Sequence, residues 1–223
     1  MHPQPVPRRW PGATVVVAAP GPSLTQEICD RVWGHRAIAV QDAYRLMPWA
    51  DVLYGCDRKW WEYHSGAPDF AGERWASVGN SSNDNDVIAD KYHLRLVEGR
   101  AGNTFSTDPR RIHYGSNSGF QAVNLALLFG AARIVLIGFD MRIVDGKRHF
   151  FGDHPRPLIN MPTYRPFVEA FEHAARHLPP GVEIVNATPG SALTCFPQVT
   201  LDDALAHSAA ARGRSARSLA AAF

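Results

Sequence analysis

Three stretches of this 223-residue chain carry side chains that could hold an anion and move a proton. Gly115-Ser116-Asn117-Ser118-Gly119-Phe120 is a polar, glycine-flanked loop leading into an apolar helical pattern. The free N–H groups of a helix start suit a phosphate, and Asn or Ser there can equally act as an ordinary N-cap. Pro20-Gly21-Pro22-Ser23-Leu24 follows a β-branched run in the same way. Gly21 would let backbone approach a ligand, Pro22 would fix the turn, and Ser23 could cap the helix or bond a phosphate. The third stretch, His149-Phe150-Phe151-Gly152-Asp153-His154-Pro155, lies in a long polar loop. Either imidazole could serve as a general base oriented by Asp153 or Asp140. The group His149, Asp153 and His154 could instead bind a divalent metal, or simply pack the loop.

Neither helix-opening loop is a Walker sequence or a GxGxxG, since the Lys and the glycine spacing are missing. Tyr44, Trp60, Trp61 and Tyr63 could stack on a nucleobase, although core packing is the commoner use of such residues. Residues 80–86 resemble a calcium loop in composition without its Gly and Glu spacing, so they read as a solvated loop.

Hydrophobic periodicity supplies the elements that must position these groups. Strands are expected at Thr14–Ala19, Ala37–Val40, Asp51–Gly55, Arg74–Val78, Tyr92–Val97, Arg133–Ile137 and Val182–Val185. Helices are expected from Leu24 to Trp33, from Arg58, over Phe120–Phe129 and Thr163–Leu178, and in a short piece at Leu201–Ala206. Alternating strands and helices imply one α/β domain, a Rossmann-like, doubly wound, mostly parallel sheet over residues 13–207. Residues 1–12 read as a flexible arm, and 208–223 as an Ala/Arg/Ser-rich tail. Ligands of such sheets sit beyond the carboxyl ends of the strands. That rim would collect Gly21, Pro22, Ser23, Gln41, Asp42, Asp57, Asn117, Ser118, Gly119, Asp140 and residues 186–188.

Composition narrows the function classes. The net charge of +2 gives no basic field for nucleic acid, and the 45% hydrophobic content is that of an ordinary globular chain. Cys29, Cys56 and Cys195 are far apart, which argues against a disulfide framework or a structural zinc and fits a reducing, cytoplasmic compartment. No apolar run reaches a membrane span, and the Pro-rich start lacks the apolar core of a signal peptide.

The Pro20–Leu24 loop, the Ser116–Phe120 loop and Ile134-Val135-Leu136-Ile137-Gly138-Phe139-Asp140 together resemble the Campylobacter-type bacterial sialyltransferases. They also resemble the related group that includes archaeal 6-hydroxymethylpterin diphosphokinases and flagellin-modifying Maf proteins. The His149–Pro155 loop and Asn186-Ala187-Thr188-Pro189-Gly190-Ser191-Ala192-Leu193 are similar to phage and prophage proteins. The resemblance implies a Rossmann-like nucleotide-dependent transferase, most simply a glycosyltransferase with a nucleotide-sugar donor. Gly21, Pro22 and Ser23 would line the phosphate and sugar, and Asn117, Ser118 and Gly119 would contact the nucleotide or donor sugar. His154, with His149 second, would take the place of the catalytic histidine. The chain departs from the sialyltransferase pattern at Pro20, where Asn is usual, and at Gln41-Asp42, where the second strand ends in Asn.

Two other readings stand beside this one. A Mg²⁺-dependent, ATP-using pyrophosphokinase would use the rim carboxylates Asp42, Asp57, Asp140 and Asp153 as ligands. A non-enzymatic nucleotide-binding accessory module would need no acceptor. The acceptor and any self-association are not legible in the sequence.

Overall fold

The run Thr14–Ala18 forms strand β1, buried from Val15 onward. The other strands are β2 (Arg36–Val40), β3 (Val52–Tyr54), β4 (Glu73–Val78), β5 (Leu94–Arg100), β6 (Arg111–His113), β7 (Arg133–Ile137) and β8 (Glu183–Asn186). The helices are α1 (Gln26–Arg31), α2 (Arg58–Tyr63), α3 (Asp86–Tyr92), α4 (Ser118–Leu128) and α5 (Arg165–Ala175). Residues 201–206 are also helical. This computed structural model describes residues 2–79, 84–156, 158 and 163–206. The calcium-like residues 80–83, parts of the long loop and the tail from 207 lie outside the described residues.

All eight strands form one sheet in the order β6-β5-β4-β3-β2-β1-β7-β8. Every pairing is parallel. A parallel sheet needs cover on both faces, and β1 shows it. Val15 and Val17 pack with Phe120 and Phe171 on the α4 and α5 side. Val16 and Ala18 pack with Cys29, Trp60, Trp61 and Ile88 on the side of α1, α2 and α3. The architecture is therefore an α/β doubly wound, Rossmann-like fold.

Helix α4 is buried on nearly every side, since among its 11 residues only Leu127 is not fully buried. Its polar residues are satisfied internally. Gln121 Oε1 accepts from Tyr54 Oη at 2.7 Å and Ser77 Oγ at 2.9 Å. Asn124 Oδ1 accepts from the backbone N–H groups of Ser106 and His113 at 2.9 and 3.0 Å. A helix locked this way holds its N-terminus at a fixed height above the sheet.

The chain lays down β1 to β6 in one direction and then returns to place β7 on the other side of β1. The strand order reverses between β1 and β7, and that crevice is where open α/β sheets bind ligands.

Helix α3 and strand β6 are additions to the sequence expectation, and α3 takes Tyr92, expected in a strand. The arm is corrected. Val6 is 3% exposed and Trp10 5% exposed, and the Val6 N–H donates to the Pro109 carbonyl at 2.7 Å. Trp10 stacks at 4.6 Å on Phe129 and Arg9 covers the same ring, so the segment is docked on the domain rather than loose. Among the described residues no helix is long and apolar enough to cross a membrane.

Candidate functional site at the strand-order reversal

The exits of β1 and β7 are tied together. Ala19 N–H donates to the Ile137 carbonyl at 2.9 Å and Gly21 N–H to the Gly138 carbonyl at 3.0 Å. Asp140, only 3% exposed, accepts from Ser23 Oγ at 2.8 Å and Ser23 N–H at 3.2 Å. Burial raises the Asp140 carboxyl above its usual range, and the two Ser23 donors pull it back. A Cβ on Gly21 would stand 2.1 Å from Asp140 Oδ2 and 2.2 Å from the Gly138 carbonyl oxygen. Gly21 therefore allows the close approach of these two protein loops. The segment after β8 buttresses them: Thr188 Oγ1 accepts from Phe139 N–H at 3.0 Å, and Ser191 Oγ donates to the Phe139 carbonyl at 2.5 Å.

The start of α4 meets this crossing. Asn117 Oδ1 accepts from Phe120 N–H at 2.8 Å, and the Asn117 carbonyl accepts from Gln121 N–H. Asn117 is thus an N-cap whose oxygen is occupied. Ser118 Oγ donates to Cys56 Sγ at 3.0 Å and accepts from Cys56 N–H, so its side chain joins α4 to the end of β3. Among the described residues the backbone N–H groups of Ser118 and Gly119 have no acceptor. They lie in the wall of a cleft of about 120 Å³.

Gly21, Gln41, Asn117, Ser118, Gly119, Asp140 and His149 line this cleft. Pro22, Ser23, Asp42, Asp57, Asp153 and His154 do not. Arg142, Arg148, Tyr164 and Phe167 line it too and were not among the expected residues. Arg142 and Arg148 are visible in sequence as the basic residues of the histidine loop, but Tyr164 carries no such signal. Its hydroxyl is buried without a hydrogen-bond partner among the described residues. Three non-glycine residues at the rim, Gln41, Ser116 and Met141, have φ of 45°, 65° and 51°. Left-handed backbone of this kind is costly and gathers at working sites.

Residues 148–154 are folded down on the rim. Phe150 N–H donates to the Pro20 carbonyl at 3.1 Å, and the Arg45 guanidinium lies 5.4 Å from the centre of the Phe151 ring. His149 stacks on Phe151 at 5.1 Å and stands 4.5 Å from the His154 ring. Burial, with His154 beside it, pushes His149 down to about 4, so its ring is neutral at pH 7. The expected orienting acids face elsewhere. Asp140 is held by Ser23, and Asp153 pairs with Arg148 at 3.1 Å. The carboxylate nearest His154 is Asp42, with Oδ2 4.0 Å from His154 Nδ1.

The four rim carboxylates do not converge. Asp57 accepts from Gln41 Nε2 at 2.8 Å and Asp42 from Trp60 Nε1 at 2.7 Å. Among the described residues no three His, Cys, Asp or Glu side chains could hold a metal ion together. In the aromatic group Trp60 and Trp61 are buried core, as expected of such residues, while Tyr63 is about half exposed.

No family model matches the sequence, and no curated protein matches it significantly. Among solved structures the chain is similar to the "MAf glycosyltransferase from Magnetospirillum magneticum AMB-1", at 13% identity with a TM-score of 0.61. The likeness covers 92% of this chain and 38% of that one. The chain therefore spans well under half the length of that protein, and at this identity what the two share is the fold.

Proposed function

We propose that this chain is a glycosyltransferase-type enzyme that seats the phosphate of a nucleotide-sugar donor at the β1–β7 reversal. The observation that carries the reading is the start of α4, where the Ser118 and Gly119 N–H groups have no acceptor among the described residues and both residues line the cleft. Helix N-termini stabilise phosphate through such groups and through the helix dipole. Arg142 and Arg148 add positive charge, and the Tyr164 hydroxyl adds a donor with no other partner. An imidazole of the His149–His154 pair would take the proton of an acceptor hydroxyl as it attacks the sugar. The fold shared with a protein named a glycosyltransferase supports the class of reaction and no more. At about 120 Å³ the cleft holds a phosphate or part of a sugar, whereas whole-ligand pockets run to ~300–1,000 Å³. The rest of a donor would extend out of the cleft along the rim. No step is assigned to Mg²⁺.

Calorimetry against nucleotides and nucleotide sugars, with and without Mg²⁺, tests the reading. A nucleotide sugar should bind, and Arg148→Ala should weaken it about 10-fold, since a charged hydrogen bond to phosphate is worth roughly 1.5–3 kcal/mol. Removing the base histidine should cut turnover roughly 10²–10⁴-fold with donor affinity intact. If His149 is that base, activity should persist to mildly acidic pH and fall only as pH approaches its depressed value of about 4. Binding without turnover on any acceptor would favour the accessory-module reading, and no nucleotide binding at all would end the proposal.

A further inference from the structure

Asp42 stands outside the donor cleft, yet it is the most buried carboxylate at the rim, with its side chain 3% exposed. It sits on a 3-10 turn, Gln41–Arg45, that leaves β2 directly. Its Oδ2 accepts from Trp60 Nε1 at 2.7 Å, and Trp60 is itself fully packed, so the carboxylate cannot swing. Its Oδ1 faces Arg45 Nη1 at 3.5 Å and His64 Nε2 at 3.6 Å. The same carboxylate faces the histidine loop, with His154 Nδ1 4.0 Å from Oδ2.

That nitrogen is buried and makes no hydrogen bond to the described residues. A buried polar atom left unpaired is costly, so the arrangement asks for a partner. Asp57, whose charge also reaches His154, has its own donor in Gln41. Asp153 is turned away to Arg148. At 4.0 Å the Asp42 contact is too long for a hydrogen bond, as contacts in unliganded sites often are before they tighten around substrate.

We propose that Asp42 is a positioning residue, not a nucleotide contact. It faces His154 Nδ1 and favours the proton on that nitrogen already in the unliganded protein, the contact shortening to a hydrogen bond as the loop tightens, which fixes that ring's tautomer and leaves its Nε2 as the lone-pair side. His149 lies beyond His154 at 4.5 Å and lines the cleft, so the order is carboxylate, imidazole, imidazole, donor seat. A carboxylate behind an imidazole holds its tautomer and stabilises the charge it gains when it takes a proton. The catalytic consequence rests on the transferase reading above, but the tautomer does not.

Long-range ¹⁵N–¹H NMR of the histidine rings at neutral pH, with His154→Gln to assign the signal, decides the matter. His154 in the wild-type chain should be mainly the Nδ1–H tautomer, and in Asp42→Ala, which leaves no acceptor at that place, it should revert to Nε2–H. Trp60 Nε1 loses the same acceptor, so the unfolding temperature should fall and the spectra are taken well below the transition. Wild-type His154 in the Nε2–H form would overturn the proposal, even if the variant failed to fold. So would a tautomer unmoved by Asp42→Ala. Where turnover is measurable, Asp42→Asn should lower kcat roughly 10²-fold with KM for the donor unchanged, and Asp42→Glu should restore part of it. A tautomer that shifts in a protein binding no nucleotide would leave Asp42 as the positioning residue and defeat the transferase reading alone.

Discussion

The two ends of the sheet differ in how their polar groups are used. The larger cleft, about 670 Å³, lies at the amino ends of the strands beside Trp10, Trp49 and Gly72. Its charges answer one another: Arg9 pairs with Glu73 at 2.7 Å, and Arg36 with Asp51 at 2.9 Å. The Arg9 nitrogens that lack hydrogen-bond partners lie over the Trp10 and Phe129 rings, with the guanidinium carbon 4.9 and 4.1 Å from their centres. The smaller cleft, at the carboxyl ends, leaves polar groups over. The Ser118 and Gly119 N–H groups, the Tyr164 hydroxyl and, just behind the wall, His154 Nδ1 all lack hydrogen-bond partners among the described residues. Unspent hydrogen-bonding capacity marks a binding site better than volume does.

The comparison breaks most sharply on the glycines of the two ends. Gly21→Ala must push Asp140 or the Gly138 carbonyl aside and should cost on the order of 3 kcal/mol in urea unfolding. Gly12→Ala at the other end has φ of 74° but meets no atom within 4 Å, so only backbone strain remains, about 1–2 kcal/mol. Equal losses would mean that the β1–β7 crossing is not tightly specified. Next come the polar pairs. Asp140→Ala strands the Ser23 donors and should cost about 1–3 kcal/mol, whereas Arg36→Ala removes an exposed pair worth under about 1 kcal/mol. A reversed order in thermal unfolding would put the structural investment at the wrong end. The smallest effect is expected of Tyr164→Phe. Deleting an unpartnered buried hydroxyl should leave stability within about 0.5 kcal/mol while donor affinity falls several-fold. A substantial loss of stability would mean that the hydroxyl already has a structural partner.

The sheet was legible wherever a strand is a continuous apolar run, as in β1, β2, β3 and β7, because a strand covered on both faces has no polar positions to disguise it. Strand β6 hid because it has three residues and buries fully only Ile112. Helix α3 hid in the Asn- and Asp-rich stretch, and its junction with β5 turns on His93, a non-glycine at φ 54°. Docking of the arm could not be read, since Val6 and Trp10 find their partners in Pro109 and Phe129. The strand exits gather several of the residues read there, but which bonds those residues make was not legible. Ser23 and Asn117 were expected to offer side chains to a ligand, and each is already bonded to the protein. Asp153 adjoins His154 in sequence and so looked like its partner. Asp42, far away in the chain, is the carboxylate the fold brings to it.

The bond between Ser23 and Asp140 joins residues 117 positions apart. Contacts of such long span are slow to form, because the intervening chain must first be ordered. Strand β1 is made before every other strand of its sheet, yet its second neighbour arrives only after six strands and α4 have been made. Until then one whole edge of β1, all Val and Ala beyond Thr14, has nothing to pair with. The crevice proposed to hold the donor does not exist in that half-made molecule: it is assembled by the arrival of β7. A nascent chain halted before Arg133 would therefore be both inactive and sticky along the strand that later forms the floor of its site.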